Sequence, residues 1–413
     1  MNTQVDKQVG KQEATYHPML PRRDFPSGRL APSRQHKLSV VSCLQWGSTG
    51  KGNVVARLVE DTTDSYSVIG VRVGGPNAGH TFEWANGQRK AVQTIPIPPF
   101  VSRTATGYIG AAGMVHRNIL EVEWHALCEM YAEMGWGWPR LAIDRHATII
   151  TDEHMRAEAD LKARISSTGE GVGAATAERV MRRAPVVTDD ADFMRWLDDQ
   201  GIAVLDTVTV LNRALLREGS EQPIHVIAEG TQGALLSLYT GGYYPYCTSR
   251  ECTPDALLSQ MGLTSRHAAD LNIVGVMRTY PIRVGGPSGP LPREITWEEL
   301  RARTGGYVSV PEKTTVTKKT RRIAELDLGI MRRVVAQTRP TSLAVTFLDY
   351  MFPSLANAET LTDVLGGQVG DDVIGYLARI EEQLGTPICM VGTGPVQHHY
   401  VGMPGDWNPS GGI

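Results

Sequence analysis

The stretch from Leu38 to Glu60 constrains the fold of this chain most. Leu38-Ser-Val-Val-Ser-Cys-Leu44 is a short apolar run, which predicts a strand buried on both faces. Gly47 to Gly52 predicts a tight loop, and Asn53 to Glu60 (NVVARLVE) opens a helix. In a strand–glycine loop–helix unit the backbone amides and the helix N-terminus point toward one place, and that place suits phosphate.

The alternation continues along the chain. Strands are predicted at Ser67–Val73, Thr106–Ile109, Leu141–Ile143, His225–Ala228, Ile273–Val276 and Leu343–Phe347. Helices are predicted near 117–134, 152–165, 191–200 and 324–337. The expected class is therefore α/β, a P-loop-like fold with a mostly parallel central sheet flanked by helices. Residues 1–37 carry four prolines, Pro18, Pro21, Pro26 and Pro32, and no periodicity; they predict a flexible N-terminal arm. No Pro/Gly/Ser linker divides 38–413, so one catalytic domain is expected there.

Composition narrows the function. A net charge of -3 over 413 residues argues against a general nucleic-acid or membrane-surface binder. Five cysteines, Cys43, Cys128, Cys247, Cys252 and Cys389, form no CxxC pair, so neither a disulfide framework nor a zinc site is suggested. With no long apolar span and no signal-peptide core, a cytoplasmic protein is expected.

Five segments carry chemistry. Gln45-Trp46-Gly47-Ser48-Thr49-Gly50-Lys51-Gly52 offers amides and one cation, but it is not a Walker A loop, because Gly52 stands where a Ser or Thr would hold magnesium. Gly74-Gly75-Pro76-Asn77-Ala78-Gly79-His80-Thr81 follows a predicted strand, where ligands of open α/β sheets gather. His80 there can donate to developing negative charge. Ser167-Thr168-Gly169-Glu170-Gly171-Val172-Gly173, followed by Arg179, Arg182 and Arg183, offers hydroxyls and amides for another phosphate. Glu229-Gly230-Thr231-Gln232-Gly233 leads into Tyr244-Pro245-Tyr246-Cys247-Thr248-Ser249-Arg250, with Gln and Thr suited to base edges and phosphates. Residues 314–322 (TTVTKKTRR) place hydroxyls and cations together as an anion cradle. As a bare charge run, that last segment would be a solvated loop. The His398-His399 and Asp189-Asp190 pairs read as solvated surface rather than metal ligands.

Taken in order, these segments resemble the adenylosuccinate synthetase family from about Leu38 to Pro395. One departure is informative. The family's common loop reads Gly-Asp-Glu-Gly-Lys-Gly with Asp as general base, whereas this chain has Gly47-Ser48-Thr49-Gly50-Lys51-Gly52. Ser in that place resembles the family's phage branch, which joins L-aspartate to dGMP on the way to diaminopurine DNA. Guanine carries a 2-amino group beside the ring nitrogen that the common Asp approaches, and Ser48 opens space there. With the base gone, water or the triphosphate would take the ring proton.

The resemblance implies roles residue by residue. Ser48, Lys51 and His80 are expected at the reacting centre. Gly47, Ser48, Thr49, Gly50, Lys51, Gly52 and Asn53, with Arg321, Asp349, Gly392, Gly394 and Pro395, are expected around the triphosphate. Ser48, Asn77, Ala78, Thr168, Gly169, Gln232 and Thr248 are expected around the purine monophosphate, joined across a homodimer interface by Arg182. Thr315, Val316, Thr317, Lys319 and Arg321 are expected around aspartate, and Ser48 and Gly79 around Mg2+. The family's guanine-reading Lys-Leu-Asp becomes Phe347-Leu348-Asp349, which favours ATP or dATP while the Asp keeps GTP open. The implied partners are dGMP, L-aspartate, ATP or dATP and a second copy, with no nucleic acid and no membrane. The alternatives are an ordinary synthetase using IMP and GTP, and a non-catalytic P-loop nucleotide sensor; the intact 314–322 cradle speaks against the sensor.

Overall fold

The computed structural model describes residues 33–83, 88–216, 222–314, 318–366 and 369–405. Ten strands form the central sheet: β1 (Ser33–Cys43), β2 (Ser67–Arg72), β3 (Thr106–Ile109), β4 (Arg140–Asp144), β5 (Ala203–Leu205), β6 (Ile224–Glu229), β7 (Ala268–Arg278), β8 (Ser342–Thr346), β9 (Ile388–Gly392) and β10 (Tyr400–Gly402). Their spatial order is β10-β9-β8-β7-β1-β6-β2-β3-β4-β5. Neighbours run parallel except β9 and β10.

The first strand shows why the sheet is buried on both faces. Leu38 and Val40 pack into one cluster with Val71, Val226 and Leu211, while Val41 points the other way toward Val55, Phe100 and Ile227. A third cluster joins Leu44, Met277 and Val345 to Val334 and Leu377. These come from helices α7 (Leu328–Thr338) and α8 (Gly370–Leu384).

The other helices named below are α1 (Lys51–Thr62), α2 (Arg117–Met134), α3 (Asp152–Ala157), α4 (Ala159–Ile165), α5 (Val172–Val180) and α6 (Ala191–Asp199). The expected helix at 152–165 is broken at Glu158, whose side chain turns away to cap α5. The helix α8 and the strands β9 and β10 were not foreseen, because the glycines and charges of that segment obscure its period. The arm expected over residues 1–37 lies outside the described residues up to Pro32, while Ser33–Lys37 already belong to β1. Lys37 is in register with His225 and Asp270, and His36 accepts from the Ile224 amide at 3.1 Å.

Asp190 and Asp189 serve as local caps for α6 and the turn before it, not as a metal site. His399 is buried rather than solvated, because its carbonyl accepts from Thr393 and its ring fills the turn before β10. Among the described residues no helix is long and apolar enough to cross a membrane.

At the end of the sheet away from the glycine loop, His225 sits between two hydroxyls, Ser39 Oγ at 2.8 Å and Thr62 Oγ1 at 3.1 Å. Burial, aided by the Lys37 charge, lowers its pKa to about 4. The unfolded chain therefore takes up a proton near pH 6.5 that the folded chain refuses until about pH 4. Stability should fall by up to about 3 kcal/mol across that window as pH drops. Urea unfolding of wild type and His225→Gln at pH 7 and pH 4.5 checks this: the acid loss should shrink in the variant, and equal losses would contradict it.

Candidate active site

The C-terminal ends of β1, β2, β6, β7, β8 and β9 converge, and the chain reverses direction across the sheet beside β1. Such a switch point is where a parallel sheet opens a crevice. The crevice here is a cavity of about 400 Å³, within the range of nucleotide-sized sites.

Its floor is the loop after β1. Gln45 and Gly47 donate their amides to Cys43 Sγ, both at 3.2 Å, and the Gln45 side chain clasps the Arg278 backbone on β7 at 3.0 and 3.1 Å. Gly47, Ser48 and Gly50 all take positive φ, which curls the loop over the N-terminus of α1. Gly52 replaces the Walker hydroxyl for a steric reason: a Cβ there would collide with the Thr81 carbonyl oxygen. Ser48 is exposed and lines the cavity. Lys51, first residue of α1, is buried and donates to the Gln232 carbonyl at 2.9 Å. Burial lowers its pKa, and the Arg72 charge adds to the effect. An anion in the cavity would relieve both.

Beside Lys51, His80 Nδ1 meets Glu229 Oε2 at 3.0 Å, and His80 Nε2 is buried without a partner. Although the two are within ion-pair distance, burial opposes charge on both. It raises Glu229 to about 7 and, with Arg72 and Lys51 nearby, pushes the imidazole well below its usual value. Burial therefore favours the neutral pair, a carboxylic acid against an imidazole, over the ion pair. One proton is shared, and Nε2 faces whatever arrives.

The opposite wall is built from three segments. Ser166, Ser167 and Thr168 follow α4, and Tyr244 to Ser249 follow β6. Val284 and Ser288 lie beyond β7, with Thr314 and Arg321 beside them. The amides expected to hold phosphate at Gly171 and Gly173 are already engaged: Glu158 accepts from Gly171 at 2.9 Å, from Ala174 at 3.1 Å and from Gly173. A buried carboxylate fills that helix N-terminus. What remains open there is the preceding loop.

Glu312 is a residue that the sequence did not single out. It accepts from Arg278 Nη2 at 2.5 Å, Arg278 Nη1 at 3.2 Å, Arg321 Nη1 at 2.8 Å and Tyr350 Oη at 3.1 Å. Burial works against its charge, but the two guanidinium groups outweigh it and hold the carboxyl near 2. Arg278 also stacks on Phe347, 3.6 Å from the ring centroid, and donates to the Ser48 carbonyl at 3.3 Å. Removing one member of a buried pair like this typically costs about 3–5 kcal/mol. Glu229 opened one of the segments singled out in the sequence, but with no role of its own, while Glu158 and Glu312 lay outside all five.

The remaining expected residues divide into groups. Asn77, Ala78, Gly79, Gln232 and Thr248 line the cavity. Thr49, Asn53, Gly392, Gly394 and Pro395 lie behind the loop: Asn53 Nδ2 donates to the Pro395 carbonyl at 2.5 Å, and the Thr49 carbonyl accepts from Thr346 at 2.9 Å. Asp349 is buried near them, one oxygen accepting from Tyr307 at 2.8 Å and the other without a partner; burial raises it to about 6. Gly169 lies under the Lys162 side chain, Lys319 is exposed, and Arg182 is exposed in a left-handed conformation at φ 59. None of these three lines the cavity, while Thr315, Val316 and Thr317 fall outside the described residues. Among the described residues no three His, Cys, Asp or Glu side chains cluster as a metal site. Ser48 and Gly79 present only neutral oxygens, so a hard cation would need phosphate oxygens and water as well, which suits Mg2+.

The comparisons with known proteins agree with this arrangement. The adenylosuccinate synthetase family profile matches residues 40–201 and 190–357. The adenylosuccinate synthetase of Methanococcus aeolicus is 30% identical over 86% of this chain and 96% of its own. The N6-succino-2-amino-2'-deoxyadenylate synthase of Vibrio phage phiVC8 is 34% identical over 76% of this chain and 87% of its own. Cyanophage S-2L succinoaminodeoxyadenylate synthetase, solved with dGMP and dATP, superposes with a TM-score of 0.70 at 26% identity, covering 90% of this chain and 96% of that one. The fully ligated Plasmodium falciparum adenylosuccinate synthetase shares the fold, with a TM-score of 0.71 at 20% identity over 89% and 99% of the two chains. With this profile spanning most of its sheet, and with relatives of 30% and 34% identity aligned over most of its length, the chain belongs to the adenylosuccinate synthetase family, whose members are ligases that form carbon–nitrogen bonds.

Proposed function

We propose that the protein joins L-aspartate to the 6-position of dGMP, with ATP or dATP as phosphoryl donor, and so makes 2-amino-2'-deoxyadenylosuccinate for diaminopurine DNA. The observation that carries this reading is Ser48: a short, exposed hydroxyl at the cavity floor where the family's common loop has its Asp. A 2-amino group buried without a partner would cost about 1–3 kcal/mol. Space and a hydroxyl acceptor at Ser48 remove that penalty.

In this reading the 6-oxygen of the purine attacks the γ-phosphate, the nucleoside diphosphate leaves, and the ring N–H proton passes to water or the triphosphate. Lys51, released from the Gln232 carbonyl, neutralises charge on the transferring group, and His80 Nε2 meets an equatorial oxygen. The proton shared with Glu229 moves onto His80 Nδ1 as the anion stabilises an imidazolium, whose Nε2–H donates to that oxygen. The amine of aspartate then attacks C6 and phosphate leaves. Mg2+, held by Ser48, the Gly79 carbonyl and the phosphates, would supply Lewis-acid stabilisation. Gln232, Asn77, Thr168 and Thr248 orient the monophosphate, and Thr315, Val316, Thr317, Lys319 and Arg321 orient aspartate.

Around the triphosphate base, Phe347 is occupied by the Arg278 guanidinium, which favours adenine over a base read by Lys. Asp349, with one unpartnered oxygen, supports the second reading, an ordinary synthetase using IMP and GTP. Arg182 stands beside two exposed apolar residues, Val180 and Met181, which suits a homodimer contact reaching a neighbour's nucleotide. The reaction needs only small molecules of the cytoplasm.

Three outcomes test this reading. Ser48→Asp adds a carboxylate at a left-handed position that Asp tolerates well, but overpacks the pocket by about 1–3 kcal/mol for guanine. It should lower kcat/KM for dGMP roughly 5- to 150-fold relative to IMP; a wild type that already prefers IMP, or an unmoved ratio, would sink the assignment. His80→Ala should lose about 100- to 1,000-fold in kcat. Glu229→Gln should abolish the decline of rate above pH 7 that follows loss of the shared proton; near-normal His80→Ala turnover or an unchanged pH profile speaks against the pair. For the dimer, Arg182→Ala and Lys51→Ala chains, each inactive, should recover activity when exchanged into heterodimers, and lack of recovery contradicts shared sites.

A further inference from the structure

The cations of the cavity are not equally occupied. Lys51 is held by Gln232, Arg321 by Glu312, and Arg283 donates to the Pro290 and Tyr246 carbonyls at 2.9 and 3.0 Å. Arg164 also lines the cavity; it is exposed to solvent at the mouth and among the described residues has no acceptor. It lies in the last turn of α4, on the same face as Leu161 and Ile165, which line the cavity with it. Nothing in the phosphoryl-transfer scheme uses it.

Two residues on, Ser166 shows a second anomaly. It takes left-handed backbone at φ 56, a conformation a serine rarely adopts. Its side chain is buried, lines the same cavity and has Oγ without a hydrogen-bond partner. A buried hydroxyl in a strained backbone normally finds a partner, so an orphaned one on the cavity that Arg164 also lines points to an acceptor supplied by a ligand.

The surroundings say which acceptor. The loop Val284 to Ser288 separates Ser166 from the cation-rich segment. A Cβ on Gly286 would lie 2.6 Å from Ser166 Oγ, and one on the adjacent Gly285 would collide with the Thr320 carbonyl oxygen. Ser166 and Thr320, the residue before Arg321, therefore lie on the two sides of one glycine-thin strip of backbone. Arg321 lines the cavity from the far side, and its pairing with Glu312 spends part of its charge. A dicarboxylate placed between the two sides needs a second cation, and Arg164 is the available one.

We infer that Arg164 and Ser166 form an additional contact for a carboxylate of the amino-acid substrate, opposite Arg321. This rests on aspartate being the co-substrate, which both the dGMP and the IMP readings share, so it does not depend on the choice of purine.

The test is steady-state phosphate release by the full-length protein, titrating aspartate against saturating nucleotides, with dGMP and IMP in parallel. Arg164→Ala should raise KM for aspartate about tenfold or more, the loss expected for one charge-assisted hydrogen bond. Nucleotide KM should stay within about twofold, and Tm should be unchanged. Arg164→Lys should restore part of the loss. Ser166→Gly, which relieves the backbone while removing the hydroxyl, should raise aspartate KM without lowering Tm. An unchanged aspartate KM in Arg164→Ala overturns the inference. So does a rise in nucleotide KM instead, which would assign the pair to a phosphate. Turnover with IMP but not dGMP, with the Arg164 effect intact, overturns the purine reading alone; turnover with neither overturns both.

Discussion

The site depends on keeping Lys51 where burial disfavours its charge. The lysine opens α1, is almost wholly enclosed, and has only the Gln232 carbonyl as acceptor. Its neighbour Arg72 is fully buried, with two of its guanidinium nitrogens unpartnered. Such a region is electrostatically incomplete. It is most stable when an anion enters, so binding energy and charge stabilisation arise from the same defect. The β1 loop, the loop after β2 and the loop after β6 are all arranged around that deficit.

The protein distributes its carboxylates accordingly. Glu229 is buried beside His80, and burial raises its pKa to about 7, so it neutralises Lys51 less than an ordinary carboxylate would. Glu312 is ionised, because two arginines surround it, and it uses its charge to fix Arg278 and Arg321 rather than to quench the cavity floor. Glu158 satisfies the amides at the start of α5. Each acid is committed to a local partner, and the positive potential at the reacting end stays open.

Much of this was legible in residue patterns. The strands at 106–109 and helix at 117–134 coincide with the observed elements, and the glycine loops at 47–52, 74–79 and 230–233 each follow a parallel strand. That follows from short apolar runs, which allow little else between glycines. The helix at 152–165 broke because Glu158 bonds to amides thirteen to sixteen residues ahead, a contact no local period encodes. The phosphate expected on those amides was displaced for the same reason. Gly169, Lys319 and Arg182 stand off the cavity because left-handed turns and surface exposure carry them outward, which residue type alone does not reveal.

By itself the sequence determined the α/β class, the loops that form the site, the family, and the Ser48 substitution that distinguishes this chain from the common enzyme. The class follows from period and spacing, the family and the meaning of Ser48 from resemblance of the motifs, and both survive without knowing what touches what. Only the tertiary structure decided the opposed pKa shifts of the buried His80–Glu229 pair, the anchoring of Arg278 and Arg321 by one glutamate, and the meeting of Arg164 and Ser166 on one cavity. Each of these depends on burial and on groups far apart in the chain. Charge, hydrogen bonding and desolvation act through space, and the sheet brings those distant residues to one edge.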